Sequence, residues 1–264
     1  MFPLIDDLHK IIFFWNPKCA CSSVKHYYIT INDEKFKNVD KSNVHAVVWC
    51  HPFTDVDKYK DYKKYAIVRD PYERAVSAFV TMMGYFGLEA YHNYNDEEFI
   101  NWFWNNFNMR EESLKIINDV SKSREEIIAY KKNPSFRNFV NILLSTNIEN
   151  MNEHLSPQTR AYFCPKYDKN SFDEIIDIKN LNPWLENLNK KLNLNGEIKN
   201  INKVNYNDDT VKMCDVNIVD YFYKNKRNFP KWIYFYDQDI KNKIEKIYAS
   251  DFNFVGKQNL ILIN

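Results

Sequence analysis

Hydrophobic and polar positions fall in blocks along this chain, and the blocks change period from one region to the next. The run Ile11-Ile12-Phe13-Phe14-Trp15 is continuously apolar and of strand length, and the turn signal Asn16-Pro17 closes it. Such a run fits a strand buried on both faces. Ser22-Ser23-Val24-Lys25 then opens a helix in which a serine is able to cap the first turn. A second short strand is predicted over Val44–Trp49, and a third at Tyr65-Ala66-Ile67-Val68, which runs straight into Arg69-Asp70-Pro71. Pro71 suits the first turn of a helix over Tyr72–Met83, because its missing N–H is not needed there.

From Asp96 to Thr146 the pattern becomes that of several helices, including the aromatic stretch Phe99–Trp104 and the charged stretch Glu111–Lys132. Phe172–Ile178 reads as a further strand, and Asn182–Leu192 and Gln238–Tyr248 read as helices. Strands alternating with helices predict the α/β class, a central parallel sheet flanked by helices with a mainly helical region over 84–150. No internal repeat and no linker rich in Gly, Ser or Pro interrupts the chain, so a single domain over 1–264 is expected.

Composition narrows the function classes. The 264 residues are 45% hydrophobic and 16% aromatic, enough apolar material for a packed core. With 36 basic residues against 35 acidic ones, broad nucleic-acid binding is not expected, since it needs an excess of cations to displace condensed counterions. A basic surface must be local, as for gripping a small polyanion. No apolar run approaches the ~20 residues that span a bilayer. The N-terminus lacks a basic region ahead of its apolar residues, so a soluble cytoplasmic protein without membrane association is expected. Five cysteines at irregular spacing give no disulfide framework.

Two strand-to-helix junctions carry candidate chemistry. In the first, Pro17-Lys18-Cys19-Ala20-Cys21-Ser22-Ser23, a helix N-terminus offers backbone N–H groups and the positive end of its dipole to an anion. Lys18 adds a mobile cation and Ser22 and Ser23 add hydroxyls. The segment has no glycine and its lysine comes early, so it is not a Walker A loop. Standing alone, it is accounted for equally well as an ordinary turn with a chance lysine. In the second junction, Arg69 ends a strand where open α/β sheets bind ligands, and its planar fork can hold a phosphate bidentately. Ser77 follows about two helical turns later. The bland alternative pairs Arg69 with Asp70 or Glu73.

Together the junctions resemble the sulfotransferases that use 3′-phosphoadenosine 5′-phosphosulfate (PAPS), most closely the carbohydrate branch that includes the chondroitin and heparan sulfate enzymes. That family shows Pro-Lys-x-x-x-(Ser/Thr) after one strand and Arg-(Asp/His/Glu)-Pro-x-x-Arg-x-x-Ser-x-(Tyr/Phe) after another. Here Pro17, Lys18 and Ser22, then Arg69, Pro71, Arg74, Ser77 and Phe79, fall on those patterns. Softer similarities follow at Asn152–Gln158, where Leu155 replaces the usual aromatic, at Phe172–Leu181, and at Tyr236–Asp239 with Tyr248–Phe254. The resemblance implies a fold like that of P-loop NTPases, with Pro17–Ser23 cradling the 5′-phosphosulfate and Arg69 with Ser77 holding the 3′-phosphate. It further implies PAPS as co-substrate, PAP as product, no required metal, and a glycan or other small acceptor. The lack of an anchor departs from the Golgi enzymes of the branch and points to a soluble bacterial or viral form.

Sulfuryl transfer needs a base for the acceptor proton, and a histidine has the ordinary pKa for it. His45 and His51 lie between the two junctions. His45, followed by Ala46, matches the placement in some heparan sulfate enzymes, and His51-Pro52 is the alternative, otherwise a turn. Lys18 is expected to stabilise the charge that grows on the leaving oxygen. His26 reads as a surface residue, His154 either orders the turn before Pro157 or reaches the site rim, and His9 and His92 have no supporting pattern. Cys19 and Cys21 fit neither a zinc pair nor a Cys-x₅-Arg phosphatase loop, and read as small loop residues. Trp102 and Trp104 read as core. The competing functions are a P-loop kinase, opposed by the missing glycines, and a non-catalytic nucleotide-binding protein.

Overall fold

A computed structural model describes residues 2–38, 43–48, 57–82, 88–106, 120–160, 169–201, 210–225 and 228–256. Four strands and the helices between them run in the order β1 Phe2–Asp6, β2 Ile11–Trp15, α1 Cys21–Ile31, α2 Asp33–Phe36, α3 Val44–Val47, β3 Lys63–Val68 and α4 Pro71–Thr81. There follow α5 Leu88–Asn93, α6 Asp96–Asn106, α7 Val120–Lys132, α8 Phe136–Ser145, β4 Glu174–Asp177 and α9 Leu181–Leu192. The chain closes with α10 Ile218–Lys224, α11 Gln238–Ile247 and α12 Ala249–Val255. Two units each hold their own core: Met1–Asp70 with Gln158–Lys203, and Pro71–Pro157 with Val204–Asn264.

The first unit contains the whole sheet, in the order β1-β2-β3-β4. β2 runs parallel to β3, with Phe13 opposite Tyr65, and β3 parallel to β4, with Tyr65 opposite Glu174. The α/β class and the mostly parallel sheet flanked by helices are as expected. β1 is the element the apolar pattern did not reveal, and it pairs antiparallel to β2. Its Pro3 removes a ladder donor, which an edge strand tolerates.

All five residues of β2 are buried, as a strand covered on both faces requires. One face presents Ile11, Phe13 and Trp15 to a core shared with Tyr27 of α1 and Leu185 of α9. Phe13 meets the Tyr27 and Trp184 rings edge-on. On the other face Phe14 packs edge-on against Phe172. A segment after α9 is bound along α1. Tyr27 and Gly196 both reach the Asn189 amide, and a Cβ at Gly196 would sit 2.2 Å from the Tyr27 ring. Only glycine fits that approach.

Because β2 and β3 are parallel neighbours, the turns that follow them leave the same end of the sheet. This is the crevice where open α/β sheets take ligands.

The segment predicted as a strand over Val44–Trp49 instead forms the helical turn α3. Its β-branched residues suit a strand, but Val44 and Val48 are also spaced four apart. Both are buried in the α1 core, and Val48 N–H donates to the Val44 carbonyl at 3.2 Å. Burial of that i,i+4 pair decides the conformation.

The second unit is helical and aromatic. Phe79 of α4 lies 5.2 Å from Phe139 and 5.3 Å from Phe136, ring centre to ring centre. Trp102 and Trp104 pack against the same core. Pro71 is the first residue of α4, where its lack of an N–H costs nothing. Arg137 pairs with Asp215, Asp237 and Asp239 at once, and Asp237 also caps α11.

Candidate functional site

The loop joining β2 to α1 is built without glycine, yet two of its residues are left-handed. Lys18 has φ 67° and Ala20 has φ 54°. Among the described residues only Lys10 and Asn193 share that property outside glycine. A left-handed non-glycine residue costs roughly 1–2 kcal/mol, and strain of this kind gathers at functional sites. Left-handed residues on either side of Cys19 give the alternation of backbone hands from which anion nests are built. Cys19 N–H closes the turn onto the Asn16 carbonyl at 3.1 Å, and Val24 N–H makes the first helical bond to Ala20 at 3.1 Å. The α1 amides ahead of Val24 point out of the helix end, where the dipole is positive. The predicted serine cap is absent: Ala20 occupies the cap position and no side chain bonds there. The two serines have other partners.

Ser22 and Ser23 each accept a hydrogen bond from another segment. Ser23 Oγ accepts from Ile201 N–H at 3.2 Å. Ser22 Oγ lies 2.8 Å from His45 Nε2, and Lys25 Nζ lies 3.4 Å from His45 Nδ1. A charged lysine only donates, so Nδ1 accepts, Nε2 carries the imidazole proton, and Ser22 is the acceptor. The Ser22 hydroxyl, held by His45, and the Ser23 hydroxyl, held by Ile201, both lie in the first turn of α1. Lys25 is buried and stands 4.2 Å from the centre of the Trp15 ring, a cation–π contact. Partial burial of its ring, followed by the charges of Lys25 and Lys18, holds the His45 pKa below the usual imidazole value. The base predicted from the sequence is therefore kept neutral and placed against the helix start.

Arg69 reaches back to the same loop. Its Nη1 donates to the Lys18 carbonyl at 3.1 Å. Gln158, fully buried, joins the two junctions again. Its Oε1 accepts from Arg69 N–H at 2.9 Å and from the Cys19 thiol at 3.0 Å, while its Nε2 donates to the Arg69 carbonyl at 2.8 Å. Lys18, Cys19, Ser22, His45 and Arg69 are thus brought together, with Lys25 beside His45, in a chain of net charge +1.

Lys25 and Gln158 are the site residues that sequence reasoning missed. Lys25 follows Ser22 by three positions and shares its helical face, which was the available signal. Gln158 ends the Asn152–Gln158 similarity, but its bonds act across 89 positions of sequence, which no local pattern announces.

Pro17 is buried beside the loop and Cys21 is half-buried at the start of α1. Ser77 belongs to the second unit, buried on α4, where its carbonyl accepts from Thr81 Oγ1 at 2.9 Å. Arg74 is also buried there and donates to the Glu153 carbonyl at 3.1 Å. His51 lies outside the described residues. His26 is not a surface residue: it is buried and its Nε2 lies 3.0 Å from Glu197. His154 orders its own turn through Asn152 Oδ1, at 2.7 Å from Nδ1. His9 is tied to Asp6 at 2.7 Å, and His92 meets the Tyr91 ring edge-on and the Tyr223 ring at a tilt.

Among the described residues no helix is long and apolar enough to cross a membrane. A family model described as the sulfotransferase family matches residues 3–256. Comparison with curated proteins and with solved structures gave no match.

Proposed function

Because this chain belongs to the sulfotransferase family and so to enzymes of sulfuryl transfer, we propose that its donor is PAPS and its acceptor a hydroxyl or amine of a carbohydrate or other small molecule. The observation that carries this reading is the hydrogen bond from Arg69 to the Lys18 carbonyl. It ties the cation that would meet one phosphate to the loop that would cradle the other, as a 3′,5′-bisphosphate requires. The 5′-phosphosulfate sits at the start of α1, against the first-turn amides and the Ser22 and Ser23 hydroxyls. The Arg69 fork takes the 3′-phosphate, and the family resemblance gives Ser77 a part in the same task.

In the transfer step the acceptor oxygen attacks sulfur in line with the departing phosphate oxygen. The new S–O bond forms as the old one breaks, and PAP leaves with the bonding pair. Lys18 stabilises the charge growing on that bridging oxygen, more in the transition state than in the ground state. The acceptor proton passes to Nδ1 of neutral His45, the nitrogen that accepts from Lys25 in the ligand-free protein and that Lys25 vacates for the step. A bound polyanion draws Lys18 and Lys25 toward itself and offsets their charge at the ring, so the imidazolium becomes easier to form once donor is present.

Thermal shift with PAP, PAPS and ATP–Mg²⁺ tests the donor. A ligand at 100 times its Kd stabilises by about 2.7 kcal/mol, which a melting curve resolves. Stabilisation by PAP and PAPS is expected, followed by transfer of labelled sulfate from PAPS to members of a glycan panel. Stabilisation by ATP–Mg²⁺ with none by PAP would overturn the reading in favour of a phosphotransferase.

A further inference from the structure

We infer that Gln158 is a positioning residue that sets the spacing of the two donor-binding junctions, so that both ends of a bisphosphate are gripped together. The inference rests on the donor reading above and adds a residue that the chemistry itself does not touch. A primary amide carries one carbonyl oxygen with two lone pairs and one NH₂ group. Gln158 uses both kinds of group on the same two junctions. Its oxygen takes the Arg69 N–H and the Cys19 S–H, and its nitrogen returns a bond to the Arg69 carbonyl. The pairing with Arg69 is the two-bond pattern of a β-bridge, made by a side chain at the residue just past β3.

No other side chain of similar size does this. Glutamate accepts but cannot donate, leucine does neither, and asparagine is one methylene short. Position in the chain adds to the case. The path leaves the first unit after Asp70 and re-enters it at Gln158, so the amide fastens the first returning residue to the last strand before departure. Gln158 is itself fully buried and its bond to Cys19 is buried with it, where a hydrogen bond is stronger and a lost partner more costly.

A clasp between two anion-binding loops has a specific thermodynamic signature. A ligand with one phosphate needs one loop in place, whereas a bisphosphate needs both at a fixed distance. Preorganisation therefore shows in the gain from the second phosphate. The measured quantity is the Kd of adenosine 5′-phosphate divided by that of PAP, obtained by calorimetry for wild type, Gln158→Leu and Cys19→Ala. The Gln158→Leu variant is expected to reduce this ratio about tenfold, with the monophosphate Kd changed less than about twofold. Cys19→Ala, which removes the tie to the first loop and leaves both bonds to Arg69, is expected to reduce it about threefold.

Melting curves report whether each variant is folded. If Gln158→Leu is not, the Cys19→Ala ratio decides. An unchanged ratio in a folded variant, or equal weakening of both ligands, overturns the positioning role and leaves the donor reading standing. Wild-type protein that fails to bind PAP overturns the donor reading, and the positioning role with it.

Discussion

Replacing Ala20 by glycine probes the strained loop more sharply than deleting a charged group does. Ala20 sits at φ 54°, ψ 30°, immediately before α1. Relieving a left-handed Cβ returns roughly 1–2 kcal/mol. Against this stand about 0.5–1 kcal/mol of extra glycine entropy in the unfolded chain and ~0.4 kcal/mol for a half-buried methyl, half of the ~0.8 for a full one. The balance is a gain of about 0.5 kcal/mol, in line with the preference for glycine over alanine at a helix cap.

Ala75 is the control. It is 1% exposed within α4, where the same change costs ~1 kcal/mol in helix propensity and ~0.8 in burial. Urea denaturation with both variants reads the difference, about 2 kcal/mol between two chemically identical substitutions. In melting temperature that gap is several degrees, at about 2–4 °C per kcal/mol for a chain of this size. Ala20→Gly is also expected to keep its stabilisation by PAP, since glycine reaches the left-handed region freely. Equal losses from the two substitutions would refute the left-handed loop and the anion nest built on it.

Lys25→Met removes a positive charge 3.4 Å from the His45 ring. That charge disfavours the imidazolium, so its loss raises the His45 pKa and moves the acid limb of the kcat/KM profile to higher pH; an unmoved limb would mean that another group is the base. His45→Ala is expected to lower turnover at least ~100-fold, the usual share of a general base, with PAP affinity nearly intact. Lys18→Ala is expected to lower both, and full turnover in His45→Ala would shift the base to His51. The Arg137 guanidinium holds the Asp215 carboxyl below its usual range. A depressed carboxylate contributes stability that is present above the unfolded value and lost as pH falls through the folded one. Urea midpoints should therefore drop below about pH 4 in wild type and change less in Arg137→Met.

The sheet was legible where burial was symmetrical. β2 is an unbroken apolar run, and Tyr65–Val68 is another that ends on Arg69. β1 was hidden because five residues containing a proline look like a loose terminus until a neighbouring strand supplies their partners. The α3 turn was misread because Val44, Val47 and Val48 satisfy strand propensity locally, and only the α1 core selects the helical spacing. At the site, the charged residues were visible in sequence, since Lys18 and Arg69 each lie in the turn after a strand.

The conformation of the loop was not visible. Glycine is the usual sign of a left-handed turn, and Lys18 and Ala20 adopt one without it. Nor were the connections between residues. Lys25 acts through Trp15 and His45, and Gln158 through Arg69 and Cys19, pairings that exist only once distant segments are packed.

A crystal structure of the PAP complex tests the central claim most directly. The account predicts the 5′-phosphate at the start of α1, within about 3 Å of the first-turn amides and the Ser22 hydroxyl, with Lys18 Nζ beside it and the Arg69 fork on the 3′-phosphate. PAP bound away from the Pro17–Ser23 loop, or with neither phosphate touching Arg69, would contradict it.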